Sequence, residues 1–143
     1  MNTKNDYVLK VANLHVSFFT ENGELQVVQN VKVDIKAGET VALVGESGCG
    51  KSVTALAIMG LIEEPGYITQ GSIKLKQQEL VGITNKDYEK IRGRQIGMIF
   101  QEPMTSLNPV FTIGKQIGEV LTHHFKMTEH DAKLESIRLL KKV

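Results

Sequence analysis

The sequence predicts an α/β fold, and three observations carry that prediction. Apolar residues alternate with polar ones at Leu9, Val11, Leu14, Val16 and Phe18, and again at Val31, Val33 and Ile35; this period-two pattern belongs to strands with one buried face. The short apolar run Val41-Ala42-Leu43-Val44 leads into a glycine-rich stretch, GESGCGKS, and then into an apolar segment without proline, an order of strand, loop and helix. Residues 112–125 and 129–142 read as amphipathic helices.

In chain order, the first two alternating runs read as antiparallel strands joined by the polar turn Thr20-Glu21-Asn22-Gly23. Lys36-Ala37-Gly38-Glu39 is a second turn. Residues 40–44 are nearly all apolar, as expected for a strand covered on both faces. Ser52 to Ile62 suits a buried helix that ends at Glu63-Glu64-Pro65-Gly66. Gly71 to Leu75 alternates again and reads as a strand. Asn85 to Arg92 reads as a short charged helix with Asn85 as its N-cap. Gln95 to Phe100 is a second candidate for a buried strand, and Gln101 to Pro109, with two prolines, is loop. Leu134, Ile137, Leu140 and Val143 run at helical spacing with no glycine or proline stop, which reads as a truncated chain.

Composition narrows the function classes. The 143 residues hold 41% hydrophobic and 23% charged residues, ordinary for one globular domain or part of one. Seventeen Lys and Arg against sixteen Asp and Glu leave a net charge of +1, so no nucleic-acid partner is expected. The longest apolar run, Ala55 to Ile62, is well short of the roughly 20 residues that span a bilayer. No secretory signal opens the chain, and lone Cys49 rules out an internal disulfide framework. The expectation is a cytoplasmic protein that reaches a membrane, if at all, by docking onto another protein.

Gly45, Gly50, Lys51 and Ser52 satisfy G-x-x-x-x-G-K-[ST], the P-loop pattern. A phosphate chain needs many converging N–H donors. Glycine lets the backbone come close to an anion, and the following helix start adds free N–H groups and positive dipole. The nucleotide-binding set is therefore Gly45, Glu46, Ser47, Gly48, Cys49, Gly50, Lys51, Ser52 and Val53. Lys51 would reach the β and γ phosphates, and the Ser52 hydroxyl would complete a Mg²⁺ shell. Cys49 reads either as a small inert spacer or as a reactive thiol beside Lys51 and the helix start.

Thr40 to Thr54, TVALVGESGCGKSVT, resembles the Walker A region of ABC transporter ATPases. Gln95 to Pro109, QIGMIFQEPMTSLNP, resembles the Q-loop segment of the oligopeptide/dipeptide importer branch, which also covers nickel importers. The likeness spans nearly all of residues 8–143. It implies a P-loop NTPase core of the ABC ATPase type, with an N-terminal antiparallel β-subdomain (mainly 1–40), a P-loop core with inserted strands (41–100), and the Q-loop and start of a helical subdomain (101–143). It implies that ATP and Mg²⁺ are cofactors, and that Gln101 contacts Mg²⁺ and the attacking water and couples the site to transmembrane subunits. The implied partners are permease subunits, a second ABC ATPase subunit, identical or not, and indirectly an extracellular substrate-binding protein. The implied location is the cytoplasmic face of the cell membrane. Peptide and nickel stay open as cargo.

The family stacks adenine on an aromatic near the first β-turn. That position falls near Thr20, which cannot stack. By alternation Phe18 shares the face of Leu14 and Val16, which makes Phe19, pointing the other way, the candidate. The sequence contains no LSGGQ-like signature, Walker B aspartate with its catalytic glutamate, D-loop or switch histidine. His123 and His124 are helix neighbours that cannot share a ligand, and His15 and His130 have no partner nearby in sequence. Two alternatives therefore stand beside the transport ATPase: a non-catalytic nucleotide-binding fragment of such a protein, or an ABC ATPase acting outside transport.

Overall fold

The structure is a computed structural model and describes residues 7–102 and 106–143. Pro103, Met104 and Thr105 of the Q-loop phrase lie outside the described residues. The chain divides into two compact units, with the boundary between Tyr88 and Glu89.

The first unit is built on strand β1 (Tyr7–Thr20), β2 (Gly23–Lys36), helix α1 (Lys51–Met59), β3 (Gly66–Leu75) and the short β4 (Gln78–Glu79). The four strands form one antiparallel sheet in the order β2-β1-β3-β4. Of the alternating residues, Leu9, Val11, Leu14, Val16 and Val33 are buried, as are Val28, Ile73 and Leu75, whereas Phe18, Val31 and Ile35 are half-buried. The step from Val11 to Leu14 breaks the period because Asn13 adopts a left-handed conformation (φ 49°) and the β1–β2 register shifts there. Asn30 does the same on β2 (φ 49°). On β3, Gly71 (φ 115°) lies so close to β1 that a Cβ would fall 2.6 Å from the Asn13 carbonyl oxygen. Bulges on adjacent strands thus form one crease across the sheet.

Two expected strands are not strands. Among the described residues, 40–44 form no strand pairing, and Val44 is 94% exposed. Residues 95–100 contribute only an isolated bridge, Arg92 to Ile96, and Ile99 is 93% exposed. A strand needs a neighbouring strand to pair with its N–H and C=O groups, and no described strand flanks either run. The helix expected over 52–62 spans Lys51–Met59 and stops at Gly60 in the left-handed conformation (φ 61°), whose N–H closes onto Ala57.

Helix α2 (Asn85–Ile91) starts one residue earlier than a cap at Asn85 requires. Thr84 takes that role: its Oγ1 accepts from the Asp87 N–H at 3.2 Å and donates to the Asp87 carboxylate at 2.7 Å. In the second unit, α3 (Ile113–Phe125) and α4 (Glu129–Leu140) pack as a pair that buries Leu121, Ala132 and Ser136. Thr112 and Thr128 cap them, accepting from the Lys115 and Asp131 N–H groups. Thr128 and Asp131 repeat the reciprocal arrangement of Thr84 and Asp87.

Candidate nucleotide-binding site

Residues 45–50 form a loop that enters α1 through Gly50. Gly48 (φ 82°) and Gly50 (φ 90°) adopt conformations that L side chains rarely take. Gly50 is also pressed against β2: a Cβ there would lie 3.0 Å from the Val27 carbonyl oxygen and 3.2 Å from Val28 Cγ2. Thr54 fixes the junction, its N–H and hydroxyl both donating to the Gly50 carbonyl at 2.8 and 2.9 Å. No side chain caps α1, so its first-turn N–H groups remain available for an anion.

Lys51 closes the loop on itself. Its Nζ donates to the carbonyls of Gly45 at 2.8 Å and Glu46 at 2.6 Å, and lies 3.3 Å from Cys49 Sγ. A positive charge is thereby held among the loop residues rather than extended into solvent. A Cβ on Gly45 would lie 2.6 Å from the same sulfur. Glu46, Ser47, Gly48 and Cys49 are exposed, Ser52 presents an exposed hydroxyl in the first turn, and Val53 beside it is half-buried. These features fit a phosphate chain: backbone donors, a fixed ammonium, a hydroxyl suited to magnesium, and no acidic side chain at the helix start.

Gly45 to Val53 form one continuous loop and helix start. Phe19 is 59% exposed, as its alternation requires, and its ring stacks on Tyr67 with centroids 4.9 Å apart and planes 21° apart. Desolvation first, then the hydrogen bond and charge of Glu24, hold the Tyr67 phenol above its usual range. Gln101 lies in the second unit and is exposed. Sequence reading missed Tyr67 and the Val27–Val28 backing of Gly50. Both are contacts between separate elements, and no local pattern announces them. His123 and His124 meet edge to face at 4.8 Å, and no cluster of three potential metal ligands exists among the described residues.

The chain is 52% identical over 137 residues to the oligopeptide transport ATP-binding protein AppD of Bacillus subtilis, a match that covers 95% of this chain and 42% of that one. It is 50% identical over 136 residues to the dipeptide transport ATP-binding protein DppD of the same organism, covering 93% and 40%. The chain thus spans about two fifths of the length of these relatives. Among solved structures, the ATP-binding cassette MJ0796, a dimer in a post-hydrolysis state bound to ADP and phosphate, matches with a TM-score of 0.81 at 24% identity. That match covers 93% of this chain and 56% of the cassette chain, and it is a likeness of fold. The ABC transporter profile matches residues 28–142. With the cassette fold, the P-loop and that match together, the chain belongs to the ABC transporter family.

Proposed function

We propose that the chain is the nucleotide-binding part of the ATPase subunit of an oligopeptide or dipeptide importer, working on the cytoplasmic face of the membrane against permease subunits and a second ATPase subunit. An extracellular binding protein would act on it only through the permease. The carrying observation is the P-loop, with left-handed Gly48 and Gly50, Lys51 tied to the Gly45 and Glu46 carbonyls, and an uncapped helix start. The 52% identity to an oligopeptide transport ATP-binding protein supports the cargo class.

ATP, when bound with Mg²⁺, supplies the phosphoryl group whose transfer to water releases the free energy for transport. This chain's residues do the holding. Backbone N–H groups from Gly48 to Val53 donate to phosphate oxygens, Lys51 adds a fixed positive charge, and Ser52 offers its hydroxyl to Mg²⁺. Gln101 offers an amide that can donate and accept at once, suited to Mg²⁺ and a water. Phe19, braced by Tyr67, offers a ring face to adenine. The division into β-subdomain (1–40), P-loop core (41–100) and start of a helical subdomain (101–143) belongs to the same reading.

The test is binding of a fluorescent ATP analogue to the purified chain and to Lys51→Ala, with circular dichroism to confirm folding. Lys51→Ala should lose binding by about tenfold or more, since a charged hydrogen-bonding group is worth roughly 1.5–3 kcal/mol. Unchanged binding by a folded Lys51→Ala would overturn the proposal. A second reading rests on the sequence, which carries no LSGGQ-like motif and no Walker B carboxylates. The 143-residue polypeptide by itself should bind nucleotide with negligible turnover, and turnover matching an intact transport ATPase would refute that. Co-purification with membrane-spanning subunits separates the transport role from an ABC ATPase acting elsewhere.

A further inference from the structure

The sheet face carries a second cluster of positive charge, built by strand register. Lys10 on β1 and Lys74 on β3 are direct cross-strand partners. Such partners share a face with Cβ atoms about 4.5–5.5 Å apart, and like charges placed so repel. Lys74 has a carboxylate opposite it on its other side, at Glu79. That carboxylate is committed elsewhere. It accepts from the Ser72 hydroxyl and from the N–H groups of Ile73, Leu80 and Val81, at 2.9, 3.2 and 3.1 Å for the three amides. Lys10 stands opposite Asp34. Yet among the described residues no carboxylate lies within ion-pair distance of Lys10, Lys36 or Lys74.

The charges converge on one place. Lys10 Nζ lies 5.5 Å from the centre of the Tyr7 ring, and Lys36 Nζ lies 5.6 Å from it. Tyr7, Lys10, Lys74 and Gln77 line a hollow of about 120 Å³. That is the space of about four waters at roughly 30 Å³ each, enough for a tetrahedral oxyanion. Two lysines among its lining residues, with Lys36 beside the same Tyr7 ring, match a charge nearer −2 than −1. A phosphate group carries about −1.5 to −2 near pH 7, and a carboxylate carries −1. The Gln77 amide adds a neutral donor.

We propose that this hollow is a second phosphate site, separate from the P-loop, that takes a single phosphate group, either free or on a lipid headgroup. The test uses the full chain carrying Lys51→Ala, so that the P-loop does not contribute. Inorganic phosphate is titrated while ¹H–¹⁵N spectra are recorded. The expected result is saturable shifts at the Lys10, Lys74 and Gln77 signals, weakened by about tenfold in Lys10→Gln/Lys74→Gln and restored by Lys10→Arg/Lys74→Arg. A second arm measures binding to phosphatidylcholine vesicles with and without phosphatidic acid. Binding that needs phosphatidic acid and both lysines identifies the lipid source, and saturation by inorganic phosphate alone identifies the free anion. Shifts that do not saturate with either source, or equal saturation by glutamate, would overturn the proposal. Because Lys51 is absent throughout, failure here leaves the nucleotide proposal standing, and failure there leaves this one standing.

Discussion

Single residues in the P-loop differ in what they tolerate. At Gly50 an added Cβ meets the Val27 carbonyl, part of the backbone, and φ is 90°. A left-handed position costs an L side chain roughly 1–2 kcal/mol by itself. Gly50→Ala should therefore lower stability by about that amount in denaturant melts and weaken ATP-analogue binding. At Gly45 the obstacle is the Cys49 sulfur, a side chain that can turn aside. Gly45→Ala should weaken binding, and adding Cys49→Ala should recover much of the loss, whereas the same addition should not rescue Gly50→Ala. If both doubles behave alike in the binding assay, the contact at Cys49 is not the cause. Cys49 is exposed and 3.3 Å from Lys51 Nζ, inside the loop that would hold the phosphates. Its labelling by a maleimide should be slowed by saturating ATP, and a rate indifferent to ATP would count against a phosphate cradle there. At this scale the sequence was informative, because glycine spacing and the lysine write the loop directly. The backing by Val27 and the Phe19–Tyr67 stack were not legible, because they depend on which strand residues end up side by side.

Among elements, the β3–β4 turn has its own fastening. Burial pushes the Glu79 carboxyl up, but the Ser72 hydroxyl and three backbone N–H groups together outweigh it, so its pKa falls below the ordinary 4.5. A folded pKa lowered in this way gives stability that is present above 4.5 and lost as pH falls through the folded value. Glu79→Gln should cost about 1–2 kcal/mol at pH 7, given the usual worth of bonds to a charged acceptor. The gap between the two proteins should narrow in urea melts below pH 4.5. A gap constant with pH would show that the charge contributes nothing. The antiparallel strands were legible because each has a wet face and a dry face. The runs at 40–44 and 95–100 were misread as strands, because an all-apolar pattern states a need for neighbours without supplying them. Thr84 displaced Asn85 as the cap because the Thr84–Asp87 pair closes two hydrogen bonds at once.

For the whole molecule, the exposed apolar groups have a joint effect. Val41, Leu43 and Val44 face solvent in the first unit, as do Ile99, Phe100, Phe125 and Leu134 in the second. Apolar surface on this scale marks contact sites or association. The purified chain should bind a hydrophobic dye and self-associate with rising concentration in sedimentation runs. Val44→Glu/Ile99→Glu should reduce both without changing the circular dichroism. A chain that stays monomeric and dye-negative would show that these groups are covered in solution. The family was legible from two motifs, and the sheet order and two-unit division were not, since both are set by contacts far apart in sequence.

The crease at Asn13, Asn30 and Gly71 bears on which deletions this sheet can survive. Asn13 and Asn30 act as inserted letters in a text otherwise read two at a time. Without Asn13, Leu9 through Phe18 would alternate with no break, and without Asn30 so would Val28 through Ile35. The register supports this: Val11 pairs with Val33 and Val16 with Val28 on one frame, and only Leu14 with Val31 is offset between them. Loss of either asparagine alone would keep every core residue facing inward, yet would slide one strand against the other by a residue. Loss of both together would bring β1 and β2 back into step and leave the hairpin straighter. Because β1 also runs against β3 with an offset between Ala12 and Val16 opposite Gly71, all three strands come back into step only when Asn13, Asn30 and Gly71 are lost together.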